Sequence, residues 1–385
     1  RPRVKLGIDV LMEKRIELIA GKRIGLVTNA SGVDGNLRPT VDRLMSDPRV
    51  HLVQLYAPEH GLRASMPNGH SDRKGRDPVT GVPVQGLFGR NARPDPATLA
   101  RLDCLVFDVQ DIGSRTYTYI STLGHVMIAA ARAKVPLIVL DRPNPNGGLL
   151  FEGPIREEKY KSLIGWGPLP VTHGMTIGEI ARFYNEELGI GCDLTVVPME
   201  NWRRGMLFED TGLDWVPPSP GIPHPLNAHL YVATGMVGGS GANLNEGAGN
   251  SMPFELVGAP WVDERRLAEE LNGAGLPGVF FRPTVWRPRV GQFANRYVRG
   301  VQLILRDARV FRPLRTALTV LTTLRRLHPK DHKVKDPRRF ARVWGNSRIW
   351  PMIQSGMGPD EIERTWQEEL AAFAKKRAKY LIYPE

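Results

Sequence analysis

Ala57-Pro58-Glu59-His60-Gly61-Leu62-Arg63 places a carboxylic acid, an imidazole and a guanidinium within five positions of one another. Together such groups move protons and hold an anion. The heptapeptide follows an apolar run, His51 to Tyr56, that reads as a buried strand. A strand stopping at Pro58 and opening a Gly-containing loop puts Glu59 and His60 at its carboxyl end. In open α/β sheets that edge is where ligands bind. The competing account is a polar loop whose Glu and His only satisfy backbone groups.

Three further runs repeat the pattern. Arg23 to Thr28 ends in Asn29-Ala30-Ser31-Gly32, and Cys104 to Phe107 ends in Asp108-Val109-Gln110-Asp111 with Arg115 close behind. Leu137 to Leu140 ends in Asp141-Arg142-Pro143-Asn144. Short continuous apolar runs are what strands covered on both faces look like. Helical patterns lie between them, around Pro39 to Met45, Pro96 to Leu102 and Ile120 to Ala133. This alternation predicts a parallel sheet with right-handed crossovers. The polar ends then converge on one crevice lined by Asn29, Glu59, His60, Asp108, Gln110, Asp111, Arg115, Asp141, Arg142 and Asn144.

The chain has 385 residues, 42% of them hydrophobic, which suits two domains. Residues 1–215 read as the α/β, Rossmann-like catalytic domain. It includes a helix from Asp9, as N-cap, to Ile19. A second helix, Ile177 to Leu188, is introduced by a Thr176/Glu179 capping box, and a strand follows from Asp193 to Pro198. The Pro-rich stretch Trp215 to Pro225 is the boundary. Residues 216–385 read as a smaller α+β domain, with helices near Val262 to Leu271, Arg312 to Leu327 and Pro359 to Lys376, and a strand from Tyr297 to Leu305.

The net charge is +12, from 52 Lys and Arg against 40 Asp and Glu. It is spread out, without the tail or aromatic-studded stripe of a nucleic-acid protein, so no nucleic-acid partner is expected. The densest basic region, Arg325 to Arg342, reads as a solvated surface that also suits a polyanionic wall polymer. No apolar run is long enough to span a bilayer. The chain starts at Arg1, which suggests a processed or trimmed form in which a signal peptide is invisible. Cys104 and Cys192 read as inert buried thiols. Nothing in the pattern fixes an oligomeric state.

The Gly-rich run Gly235 to Gly249 is neither a dinucleotide fingerprint nor a P-loop. Gly238 to Ala242 only weakly imitates a nucleophile elbow. What remains is a flexible loop presenting Asn243 and Glu246. No metal-ligand spacing stands out, and no metal or cofactor is expected. Paired carboxylates fit better, Glu59 with Glu246 or with one of the aspartates. Hydrolysis of a glycosidic bond needs such a pair.

Gly25 to Asp34, Ala57 to Arg63, Thr80 to Val84, Phe107 to Ile120, Leu140 to Gly148, Phe151 to Pro154 and His173 to Glu179 form a specific set of motifs. The set resembles the bacterial exo-β-N-acetylmuramidases of the NamZ/YbbC type, formerly a domain of unknown function (DUF1343). The similarity extends through Asn243-Leu-Asn-Glu-Gly-Ala-Gly249 to the final Tyr-Leu-Ile-Tyr-Pro-Glu. It implies a Rossmann-like domain, a smaller C-terminal domain and a cleft between them. The implied activity is release of N-acetylmuramic acid (MurNAc) from non-reducing ends of peptidoglycan fragments, with Glu59 as leading catalytic candidate. The resemblance breaks at Ser240 and Ala248, where relatives carry Glu and Arg.

Combined, these readings make Glu59 the general acid, raised in pKa by partial burial, and Glu246 or Asp108 the second carboxylate. Retaining, inverting and substrate-assisted routes all remain open. The lactyl carboxylate of MurNAc calls for Arg63, Arg115 or Arg142. Tyr117, Tyr119 and His173 are candidates for the sugar hydroxyls, and MurNAc-containing saccharides or muropeptides are the expected partners. A non-catalytic or altered-specificity wall-sugar-binding protein is the alternative. The expected location is the cell envelope or outside the cell, with the cytoplasm as alternative.

Overall fold

The computed structural model describes residues 3–385. Its first unit is built on a seven-stranded sheet whose central strands are the apolar runs of the sequence. They are β1 (Arg23–Thr28), β2 (His51–Ala57), β3 (Gly75–Arg76), β4 (Pro83–Gly86), β5 (Cys104–Asp108), β6 (Leu137–Leu140) and β7 (Leu194–Val197). The order is β3-β4-β2-β1-β5-β6-β7. All pairings are parallel except the antiparallel pair β3–β4. Every residue of β5 and β6 is buried, as expected for strands covered on both faces. Thr28, Ala57, Asp108, Leu140 and Val197 therefore end on one edge. The strand order reverses at β1 and β5, the place where open α/β sheets form their crevice.

Helices α1 (Gly7–Lys14), α2 (Thr40–Met45), α3 (Pro96–Leu99), α4 (Tyr119–Ala133) and α5 (Ile177–Glu187) accompany this sheet. The capping box at α5 is present: Thr176 Oγ1 accepts from the Glu179 N–H, and Glu179 accepts from the Thr176 N–H. The first helix differs from expectation. It starts at Gly7, so Asp9 lies inside its first turn and accepts from the Leu6 N–H at 3.0 Å. It also stops at Lys14, and a single 3₁₀ turn covers Ile16–Leu18.

The Pro-rich stretch leads into α6 (Pro225–Val237). Beyond it β8 (Leu256–Ala259), β9 (Val279–Trp286) and β10 (Val298–Leu305) form an antiparallel sheet of order β8-β10-β9. Helices α7 (Glu264–Gly273), α8 (Pro313–Leu327), α9 (Pro337–Trp344), α10 (Ile349–Gln354), α11 (Pro359–Arg364) and α12 (Gln367–Ala378) follow. The single helix expected over 359–376 is thus two, broken at Thr365 and Trp366. Leu244, Phe281, Val301, Leu318, Phe340 and Trp344 belong to the core of this unit. The end of the chain returns to the first unit. Phe373 and Tyr380 join its core, and the Tyr383 hydroxyl donates to Asp141 at 2.5 Å. Cys104 and Cys192 are buried and unpaired, and burial pushes each thiol up to about 11. Among the described residues no helix is long and apolar enough to cross a membrane.

Candidate active site

A cavity of about 570 Å³ opens beside the carboxyl end of β2, enough for a sugar unit. Glu59, His60, Tyr117 and Thr118 line one side. Ser219, Gly221 and Ile222 of the Pro-rich stretch border it, and Gly235, Gly239, Glu246 and Ala248 enter from the Gly-rich segment. Tyr231 of α6 and Arg339 and Arg342 of α9 complete the C-terminal wall.

Glu59 is held by both oxygens. The Gly69 N–H donates to Oε1 at 2.7 Å and the Thr118 hydroxyl to Oε2 at 2.7 Å. Two donors suit a carboxylate, which accepts on both oxygens. The next residue, His60, has φ +71°, a left-handed conformation uncommon for a non-glycine residue. Surrounding bonds maintain it: the His60 N–H donates to the His70 carbonyl, and its own carbonyl accepts from Ser65 and Met66. The imidazole Nδ1 lies 2.8 Å from the Met66 carbonyl. That carbonyl only accepts, which assigns a ring hydrogen to Nδ1.

Glu246 is another carboxyl of the cavity, and Asp336, the N-cap of α9, is a third. Burial pushes Glu246 up to about 7, while its own backbone N–H and the Arg339 guanidinium pull the other way. A carboxyl in that range is about half protonated at neutral pH, where an ordinary Glu has lost its proton. Glu59 and Glu246 thus sit in different environments: Glu59 among donors, Glu246 in poorly solvated surroundings.

Tyr117 and Tyr231 face the cavity as paired rings, 5.8 Å apart and nearly perpendicular. Burial raises both phenols, Tyr231 to about 12, so both stay protonated as donors. Tyr119 does not line the cavity. It is wholly buried, donates to the Pro218 carbonyl at 2.5 Å and accepts from Asn29 Nδ2 at 3.0 Å. Asn29 also donates to the Pro218 carbonyl, so this pair moors the Pro-rich stretch beside Glu59.

Most of the other polar strand ends turn into the protein. Asp108 is fully buried, accepts from Arg142 Nε at 2.5 Å and Nη2 at 2.9 Å, and takes a third bond from Thr40. It is not a cavity carboxylate, and Arg142 is committed to it. Arg115 is likewise enclosed, donating to the carbonyls of Pro154, Leu169 and Val343. Burial pushes it down to about 9. Arg63 pairs with Asp77 at 2.7 Å, away from the cavity lining. None of the three expected arginines reaches the site.

Asp141 accepts from the N–H groups of Arg142 and Gly178 and from Thr176 and Tyr383. Asn144 bridges Met175 and Asn146. Asp111 caps the Gly113 N–H, and His173 Nε2 stands 3.7 Å from it. Asn243 joins the backbone of Asp331 and Lys333, tying the Gly-rich loop to the segment before α9. These residues build the walls behind the site. Of the two departures from the family pattern, Ala248 lines the cavity, while Ser240 is buried and bonds the Val237 carbonyl.

The sequence reading missed Thr118, Tyr231, Arg339 and Arg342. Thr118 lay inside a quoted motif, and the two arginines inside the basic region assigned to solvent. No group of three His, Cys, Asp or Glu side chains among the described residues is arranged to hold a metal ion.

A polar, sugar-sized cavity between a strand-end loop and a second unit, lined by several carboxyls, offers the acids that hydrolysis of a glycosidic bond requires. Residues 24–226 match the N-terminal part, and residues 229–383 the C-terminal part, of the exo-β-N-acetylmuramidase NamZ family. The chain belongs to that family. It is 42% identical over 383 residues to the peptidoglycan β-N-acetylmuramidase NamZ of Bacillus subtilis (strain 168), covering 100% of this chain and 92% of the relative. Its fold is similar to two crystal structures of DUF1343 family proteins from Bacteroides fragilis NCTC 9343. One has TM-score 0.92 at 37% identity, the other 0.78 at 26%, each with full coverage of both chains.

Proposed function

We propose that the chain is an exo-β-N-acetylmuramidase that removes terminal MurNAc from peptidoglycan fragments, with Glu246 as proton donor and Glu59 as the carboxylate of the pair. One observation carries the assignment of roles. Glu59 accepts two hydrogen bonds while Glu246, in the same cavity, is pushed up to about 7. A glycosidase needs one carboxyl that gives a proton to the leaving oxygen and one that stays charged against the sugar ring. Glu246 protonates the glycosidic oxygen as the bond to the anomeric carbon lengthens. Glu59 stabilises the positive charge developing at that carbon, where water adds in the end and gives up a proton, so that the sugar is released with a free hydroxyl. His60 Nε2 and the hydroxyls of Tyr117 and Tyr231 supply polar contacts for sugar hydroxyls.

The test is release of chromophore from a chromogenic MurNAc glycoside by the wild type, Glu59→Gln and Glu246→Gln. Turnover lost in both variants supports the proposal. Saturable binding of MurNAc without release by the wild type supports a wall-sugar-binding protein instead. The proposal extends to location: a peptidoglycan substrate puts the enzyme at the cell envelope or outside the cell. Recovery of the protein solely from the cytosol of fractionated cells refutes that part.

A further inference from the structure

The cavity carries three acids on its walls, Glu59, Glu246 and Asp336, yet its substrate under the reading above is itself an anion. MurNAc differs from GlcNAc by a lactyl ether ending in a carboxylate, so something cationic must face that group. The three arginines at the strand ends are all committed elsewhere, to Asp77, Asp108 and buried carbonyls. The cations that line the cavity come from α9, one turn apart on the same helix face.

These two arginines are not equivalent. Arg339 Nε donates to the Gly239 carbonyl at 3.1 Å, and its charge acts on Glu246. It therefore holds the Gly-rich segment. Arg342 is exposed to the cavity, and its side chain has no hydrogen bond or ion pair to another described residue. Its helix is fixed behind it by buried Phe340, Val343 and Trp344, and Trp344 Nε1 bonds the Met236 carbonyl at 3.1 Å. An uncommitted guanidinium on a rigid helix is suited to a bidentate bond with a carboxylate.

We propose that Arg342 is the specificity-determining residue that recognises the lactyl carboxylate of MurNAc. This rests on the MurNAc reading of the site. Charge-assisted bonds of this kind contribute about 1.5–3 kcal/mol, so loss of Arg342 should weaken MurNAc binding about 10- to 100-fold.

The experiment is calorimetric titration of wild type, Arg342→Ala and Arg342→Lys with MurNAc and with GlcNAc, alongside chromophore release from the MurNAc glycoside. The expected result is a wild-type preference for MurNAc that Arg342→Ala removes and Arg342→Lys keeps in part, with GlcNAc affinity unchanged. A preference that survives Arg342→Ala overturns the assignment, as does a wild type that does not distinguish the two sugars. Failure of the enzymatic reading is separate: the wild type would then show the binding preference but release no chromophore. Arg342 is exposed, and matching melting curves exclude a folding defect as the cause.

Discussion

The Thr118 hydroxyl donates to Glu59 Oε2 at 2.7 Å and caps nothing in its own helix. Thr118 occupies the N-cap position of α4, where such a hydroxyl usually serves the first turn. Here it crosses instead to the loop after β2. Thr118→Val should therefore leave Tm nearly unchanged while lowering kcat roughly tenfold, through loss of one bond to a charged group. Glu59→Gln should lower kcat on the order of 10²–10⁴. A Thr118→Val enzyme with wild-type kcat would show that this bond does not orient the carboxylate. Near-full activity in Glu59→Gln would remove Glu59 from the mechanism.

The elevated Glu246 carboxyl gives activity an alkaline limb. The donor must be protonated, so kcat should fall as pH rises through about 7. Stability should follow the same group. Between the ordinary Glu range and about 7 the folded state keeps a proton that the unfolded chain releases. Folding stability therefore declines as pH rises through that window and levels off above it. Glu246→Gln should abolish activity and flatten that decline, raising Tm at pH 8 relative to wild type. Melting curves from pH 4 to pH 8 test this, and an unchanged slope in the variant would contradict it.

The Asp108–Arg142 pair predicts an effect of another kind. Both side chains are almost fully buried, and removing one leaves the other charge without a partner. Arg142→Ala should cost about 3–5 kcal/mol and lower Tm on the order of 10 °C. The fraction that stays folded should keep the wild-type ratio of MurNAc to GlcNAc affinity. A changed ratio in folded protein would place Arg142 at the substrate after all.

The strands were legible because each is a short apolar run that must be covered on both faces; β1, β2, β5, β6 and β7 fall within a residue or so of the expected ranges. The edge that carries Glu59 followed from them. Which strand-end side chains face the cavity was not legible. Asp108 beside Arg142 and Glu59 beside His60 have similar composition, and only packing tells a buried ion pair from a site. Arg339 and Arg342 were hidden for a related reason. Their charge pattern is that of any exposed helix, and α9 comes to the cavity of Glu59 only through the tertiary fold. Glu246 was legible as the carboxylate of a glycine-rich loop, but its proton affinity depends on burial that sequence does not display.

One glycine of that loop makes the last prediction. Gly238 ends α6 with ordinary helical backbone, φ −78° and ψ −44°, so its conformation does not require glycine. What requires it is Glu246: a methyl group at position 238 would lie 2.7 Å from Glu246 Cβ and 2.8 Å from its carboxyl carbon. Contacts that short force one side to move. The loop residue, set among glycines, is the easier one to shift, so Gly238→Ala should displace the proton donor. The expected phenotype is a kcat loss of roughly 100-fold, as for misplacement by about 1 Å, with a lowered Tm because overpacking of this kind costs about 1–3 kcal/mol. The pH profile should lose its limb near 7 as the carboxyl becomes better solvated. If Gly238→Ala retains both wild-type kcat and that limb, Glu246 is not the donor, and the acid must be sought elsewhere on the cavity wall.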